Sequence, residues 1–138
     1  MTHYIENEFL TVGVKEYGCE LTSVKSKKDG YEFLWQGDEN IWYGQSPVLF
    51  PIVGRLIEDK YVLDGKEYEM PKHGFARKTI WNLLEKDEDS MSFILSESPE
   101  TLSKYPYKFD LIVTFTLDGN KLRVNHAVVN KNDDTMYF

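Results

Sequence analysis

Two segments of the chain carry the residues best suited to hold or transform a small polar molecule. In Met70-Pro71-Lys72-His73-Gly74-Phe75-Ala76-Arg77 a proline stiffens the approach, an imidazole follows, and Gly74 lets the backbone come close to a ligand. A His and an Arg displayed on one loop suit a small-molecule site, since imidazole titrates near neutral pH. An ordinary surface turn accounts for the same spacing. Arg55 ends the apolar run Ser46-Pro47-Val48-Leu49-Phe50-Pro51-Ile52-Val53-Gly54, which places a guanidinium at the edge of a buried surface. Such a group forks onto two hydroxyls, a carboxylate or a phosphate, or serves simply as a solvent cap.

The other reactive side chains read as structural. His3 lies in a terminus expected to fray. His126 falls in the apolar stripe Leu122, Val124, Val128 and is expected to be a satisfied core or sheet residue. Cys19 is the single cysteine, so no intrachain disulfide can form, and it is expected to be buried and inert in a reducing cytoplasm. Glycine patterns for phosphate or dinucleotide binding, the Gly-x-Ser-x-Gly elbow, and His or Cys pairs at metal-ligand spacing are all absent.

The elements that must position Arg55 and His73 are strands. Leu10, Val12 and Val14 alternate with Thr11 and Gly13, and a second segment contains Leu21 and Val24. Lys28-Asp29-Gly30 signals a turn, after which Tyr31, Phe33 and Trp35 are expected on one face of a short strand, completing a meander. Pro47 and Pro51 argue against a regular central strand and imply an extended course across something else. A hairpin over Tyr61–Met70 turns at Asp64-Gly65. Strands are expected around Ile80–Leu84 and Met91–Leu95, with an acidic turn at Glu85–Ser90 between them. Ser98–Tyr105 is the one helix candidate. Phe109, Leu111, Val113, Phe115 and Leu117 alternate with polar residues and Ile112, and Asp118-Gly119-Asn120 turns the chain back through Leu122 to Val128. Met136-Tyr137-Phe138 begins another apolar stretch at the end of the sequence, where a strand would leave an unpaired edge.

Bulk properties agree with a folded, soluble protein. The 138 residues are 41% hydrophobic and 28% charged, and a 14% aromatic content suits strand surfaces and equally the walls of sugar sites. With a net charge of −7 and no basic patch, nucleic acid is not an expected partner. No signal-peptide pattern or membrane-length apolar run is visible, so a cytoplasmic location without membrane contact is expected.

The blocks Glu32-Phe33-Leu34-Trp35-Gln36-Gly37, Leu49-Phe50-Pro51-Ile52-Val53-Gly54-Arg55, His73-Gly74-Phe75-Ala76-Arg77 and Tyr105-Pro106 with Phe109 resemble, in order, the aldose 1-epimerase (galactose mutarotase-like) family and within it the LacX-type branch. That resemblance implies an all-β fold, an antiparallel sandwich of the supersandwich type, of which residues 1–138 form the N-terminal portion of a single domain. It implies an isomerase that interconverts the α and β anomers of an aldose by acid–base ring opening, with no metal or cofactor. Arg55 and His73 match positions that bind the sugar, with His73 the catalytic candidate present. Arg77 matches a position used for phosphate in hexose-6-phosphate 1-epimerases. The family's principal acid, a His in a Gly-x-His-Pro motif, and its basic Glu have no counterpart here, so the chain alone is expected to be inactive. A non-catalytic carbohydrate-binding protein and a hexose-6-phosphate 1-epimerase are the alternatives. The expected partner is a small sugar or sugar phosphate. Self-association, or pairing with a C-terminal half, is expected as well.

Overall fold

A computed structural model describes residues 1–138. Three antiparallel sheets account for nearly all regular structure. The first joins β1 (Thr2–Glu6), β2 (Leu10–Lys15) and β3 (Glu20–Ser26) in sequence order. A two-stranded hairpin follows, β4 (Lys60–Leu63) and β5 (Lys66–Glu69). The third sheet runs β6 (Asn82–Lys86), β7 (Ser90–Ser96), β8 (Phe109–Asp118) and β9 (Lys121–Asn130), again in sequence order. No helix is long and apolar enough to cross a membrane.

Alternation builds the core. Along β8, Phe109, Leu111, Val113, Phe115 and Leu117 are all buried, while Asp110, Ile112, Thr114 and Thr116 lie on the other side and are partly exposed. The stripe meets Ile5, Val12 and Val14 from the first sheet and Met91, Phe93 and Leu95 from β7 in one cluster. Each such side chain, fully buried, contributes roughly 1.5–3 kcal/mol relative to exposure. Phe50, in the irregular segment between the first sheet and the hairpin, packs its ring against Phe75, Tyr105 and Phe109 at centroid distances of 6.1, 5.8 and 5.2 Å. The proline-bracketed run is therefore fastened to the core by an aromatic cluster and needs no sheet ladder. Within it the Phe50–Pro51 bond is cis.

Local chemistry explains the turns. Asp64 and Gly65 take φ of 49° and 77°, the pair of left-handed residues that a two-residue hairpin requires. The single α-helix, α1 (Pro99–Lys104), starts from a capping box in which Ser98 and Thr101 exchange side-chain bonds with each other's backbone, with proline in its first turn.

Four expectations are corrected. Tyr31, Phe33 and Trp35 form no full strand: pairing with β3 is limited to one antiparallel bridge, Lys25 with Glu32, flanked by Ser26 N–H to the Tyr31 carbonyl and Phe33 N–H to the Val24 carbonyl. Beyond it the Glu32 carboxylate takes the N–H groups of Val24 and Leu34. The N-terminus is not frayed: β1 pairs with β2, and the His3 ring sits edge-on to Phe93 at 5.6 Å and bonds Glu16 at 2.8 Å. The turn after β6 is shorter than expected, since Glu85 and Lys86 still belong to that strand. Met136–Phe138 adds no strand, although Met136 is buried, Phe138 lies 5.9 Å from Phe50, and the Tyr105 hydroxyl donates to the Tyr137 carbonyl.

His126 is a sheet residue, on β9, and not a core one. It pairs with Val113 on β8 and faces the side on which β8 is buried, yet it is exposed, as is Val124 beside it. The core thins at β9, where Leu122 and Val128 stay partly buried against it while Val124 and His126 between them are exposed along an unpaired edge. In sedimentation the chain alone is expected to associate as concentration rises, with Val124→Lys shifting it towards monomer. A monomer at every concentration would refute this.

Candidate functional site

Arg55 and His73 lie eighteen residues apart along the chain, and what joins their segments is a reciprocal pair of bonds between His73 and Gly54. The His73 N–H donates to the Gly54 carbonyl at 2.7 Å, and the Gly54 N–H donates to His73 Nδ1 at 2.9 Å. Both backbones are left-handed there, with φ of 67° at His73 and 91° at Gly54. The next residues tighten the join. Gly74 forms a parallel bridge with Phe50, and the N–H groups of Phe75 and Ala76 both point to the Phe50 carbonyl, at 3.0 and 3.3 Å. A Cβ on Gly74 would lie 2.1 Å from that oxygen, so no other residue fits.

This clasp fixes the chemistry of the imidazole. Because Nδ1 accepts from a backbone N–H, the neutral ring carries its proton on Nε2 and offers only a donor to a ligand. Desolvation first, and then the charges of Arg77 and Lys72, lower the His73 pKa below its ordinary 6.5. The ring is therefore neutral at pH 7.

Arg55 is mostly exposed, and its guanidinium is committed on one edge. Nε and Nη2 bond the two carboxylate oxygens of Asp59, each at 2.7 Å, which raises the pKa of Arg55 and lowers that of Asp59. Nη1 is not part of this fork. Asp59 did not stand out in the sequence. An acid four residues after an Arg signals a pair on a helix, and this stretch is a turn with left-handed φ at Glu58 (55°) and Asp59 (58°). Arg77 reaches back to the Lys72 carbonyl through Nη2 at 3.0 Å, while its buried Nε has no partner. Two cations, Arg77 and Lys72, thus act on the His73 imidazole, while Arg55 follows its bonded partner Gly54 in the chain.

Ile52 and Leu56, on either side of the Gly54–Arg55 pair, help line an apolar cavity of about 380 Å³ together with Tyr61, Tyr105 and Phe138. No group of three or more His, Cys, Asp or Glu side chains is arranged to hold a metal ion. The arrangement can bind an oxygen-rich ligand by donation from Nε2–H and guanidinium N–H groups, beside aromatic surface.

Replacing Gly74 with Ala is expected to destabilise the chain by roughly 3 kcal/mol or more, read from the denaturant midpoint, because it adds both a backbone clash and left-handed strain. An unchanged midpoint would mean the clasp is easily remodelled. The lowered His73 pKa has its own signature. Below pH 6.5 the unfolded chain takes up a proton that folded His73 resists, so stability falls with pH until His73 protonates in the folded state as well. In His73→Asn the unfolding temperature should vary less with pH over that window. Identical profiles would assign the dependence to other groups.

Comparison with known proteins bears on the same segments. The family model described as aldose 1-epimerase matches residues 1–138. The plasmid-encoded protein LacX of Lactococcus lactis subsp. lactis is 41% identical over 145 residues, covering 100% of this chain and 48% of its own length. The galactose mutarotase of Rattus norvegicus is 26% identical over 140 residues, covering 88% and 40%. Among solved structures, a galactose mutarotase related enzyme from Lactobacillus acidophilus superposes with a TM-score of 0.96 at 43% identity, over 99% of this chain and 45% of that one. A galactose mutarotase-like protein from Lactobacillus casei gives 0.95 at 36% identity, over 99% and 46%. The chain spans about half the length of the curated relatives it matches. With a match along its whole length and sheets that superpose on those of its relatives, the chain belongs to the aldose 1-epimerase family.

Proposed function

We propose that this chain supplies the sugar-holding part of an aldose 1-epimerase-type site, which interconverts the α and β anomers of an aldose. The observation that carries the reading is the Gly54–His73 clasp, which fixes an imidazole with an Nε2–H donor against the backbone that leads directly into Arg55. Sugar hydroxyl and ring oxygens present lone pairs that such donors recognise, and aromatic walls stack on sugar C–H faces. His73 is then the group that touches the substrate, with Arg55 beside it. Its neutral, Nδ1-bonded state suits polarising an oxygen better than removing a proton.

Ring opening also needs a base for the C1 hydroxyl and an acid for the ring oxygen. The sequence has no Gly-x-His-Pro motif, and His126 does not sit in one. Each missing proton-transfer group typically costs about 10² to 10⁴ in rate. The 138 residues by themselves accordingly hold a sugar more readily than they turn it over. The strand that would flank β9, from a C-terminal half or from a second copy, belongs to the same proposal.

A second reading, a hexose 6-phosphate as ligand, is favoured by Arg77. Its buried Nε lacks a partner, and Arg77 shares a cavity of about 160 Å³ with Lys15 and Lys78. A carbohydrate-binding protein without catalysis is the reading to keep if sugars bind and anomerisation stays at its spontaneous rate.

Calorimetric titration with galactose, glucose and their 6-phosphates, alongside polarimetry of freshly dissolved α-anomers, tests the set. Arg55→Ala and His73→Ala are each expected to weaken binding about tenfold, close to 1.4 kcal/mol. Arg77→Ala should weaken phosphosugars far more than free sugars if the second reading holds. Binding of no sugar, with the fold intact by circular dichroism, would remove the proposal.

A further inference from the structure

Five residues other than glycine adopt positive φ, and three of them, Glu58, Asp59 and His73, sit in the two segments joined by the Gly54–His73 clasp. Asp64 is accounted for by its hairpin turn and His73 by the clasp. Glu58 and Asp59 are not: two consecutive side-chain-bearing residues in the left-handed region is a costly way to make a surface turn. The strain is held in place by neighbours. The Asp59 N–H donates to the Leu56 carbonyl at 3.1 Å, and its own carbonyl accepts from the Met70 N–H at 2.7 Å, tying the turn to the end of β5. What this backbone achieves is to swing the Asp59 carboxylate back along the chain onto Arg55, as a two-point fork. An exposed ion pair adds little to stability, so the fork does not offset the strain as a stabilising contact.

We infer that Asp59 is a positioning residue: it holds the Arg55 guanidinium by Nε and Nη2 so that Nη1 is presented to the ligand. The inference rests on the reading of Arg55 as a sugar-binding group. A guanidinium on a long flexible stem loses rotamer freedom when it binds, and a fork already formed in the free protein removes much of that loss. Asp59 touches no substrate. It acts through Arg55, so its removal should matter only when Arg55 is present.

The test combines two variants of Asp59 with two readouts on the full chain. Asp59→Gly removes the carboxylate and relieves the positive φ, while Asp59→Asn removes the charge and one of the two acceptor oxygens, breaking the fork, and still tolerates the left-handed conformation. Nitrogen-15 relaxation of the Arg55 Nε–H should report a restrained side chain in the parent and a mobile one in both variants. Galactose titrated calorimetrically should bind about three- to tenfold more weakly to both, with the unfolding temperature of Asp59→Gly unchanged or raised. In an Arg55→Ala background, Asp59→Asn should add no further loss. Parent-like affinity in both Asp59 variants, with Arg55→Ala impaired, would overturn the inference and leave the sugar reading intact. Parent-like affinity in Arg55→Ala would overturn both. An Nε–H as mobile in the parent as in Asp59→Asn would overturn the positioning role by itself.

Discussion

Everything at the candidate site hangs from the carbonyl oxygen of Phe50. It accepts from two successive N–H groups, those of Phe75 and Ala76, and Gly74 slides past it at a distance that excludes any side chain. The ring of the same residue sits in the aromatic cluster with Tyr105 and Phe109. One residue thus couples the core to the crossing of two irregular segments, neither of which is part of a sheet. The Gly54–His73 bonds lie a few residues further along both strands of that crossing, and they inherit its rigidity. Packing holds the backbone here, and the backbone in turn aims the polar groups.

The electrostatics follow from the same crossing. The protein carries a net charge of −7, yet the neighbours of His73 are Lys72, Arg77 and, through Gly54, Arg55. Asp59 neutralises one of these cations without touching the imidazole. A locally positive, donor-rich patch on an acidic protein favours ligands that offer lone pairs or negative charge.

Much of this was legible in the residues, and the losses have physical reasons. The β8–β9 hairpin could be read from strict alternation ending in Asp118-Gly119-Asn120, because sheet burial has a period of two. The blocks around Arg55 and His73 stood out by composition and by their prolines and glycines. Their joining did not, since it depends on left-handed backbone at Gly54, His73 and Gly74, and His73 gives no sign of that conformation in its type. Glu32 showed the opposite problem: the aromatic alternation around it reads as a strand, but the pairing stops after one bridge to Lys25, and the Glu32 carboxylate takes the Leu34 N–H beyond it. His126 was placed on the correct face of β9, but alternation gives the face of a strand and cannot say whether a second layer covers it. Asp59 was invisible because spacing suggests a helix pair only where there is a helix.

The proton on Nε2 has a consequence for discrimination. With Nδ1 occupied by the Gly54 N–H, the ring has no lone pair left to offer, so it cannot accept a hydrogen bond from anything that enters. A hydroxyl or ring oxygen satisfies it, and a protonated amine at the same position does not, leaving an ammonium facing an N–H donor and the neighbouring cations. An ammonium-bearing analogue of the same size and shape would be rejected by the direction of a single backbone hydrogen bond, with no steric barrier involved.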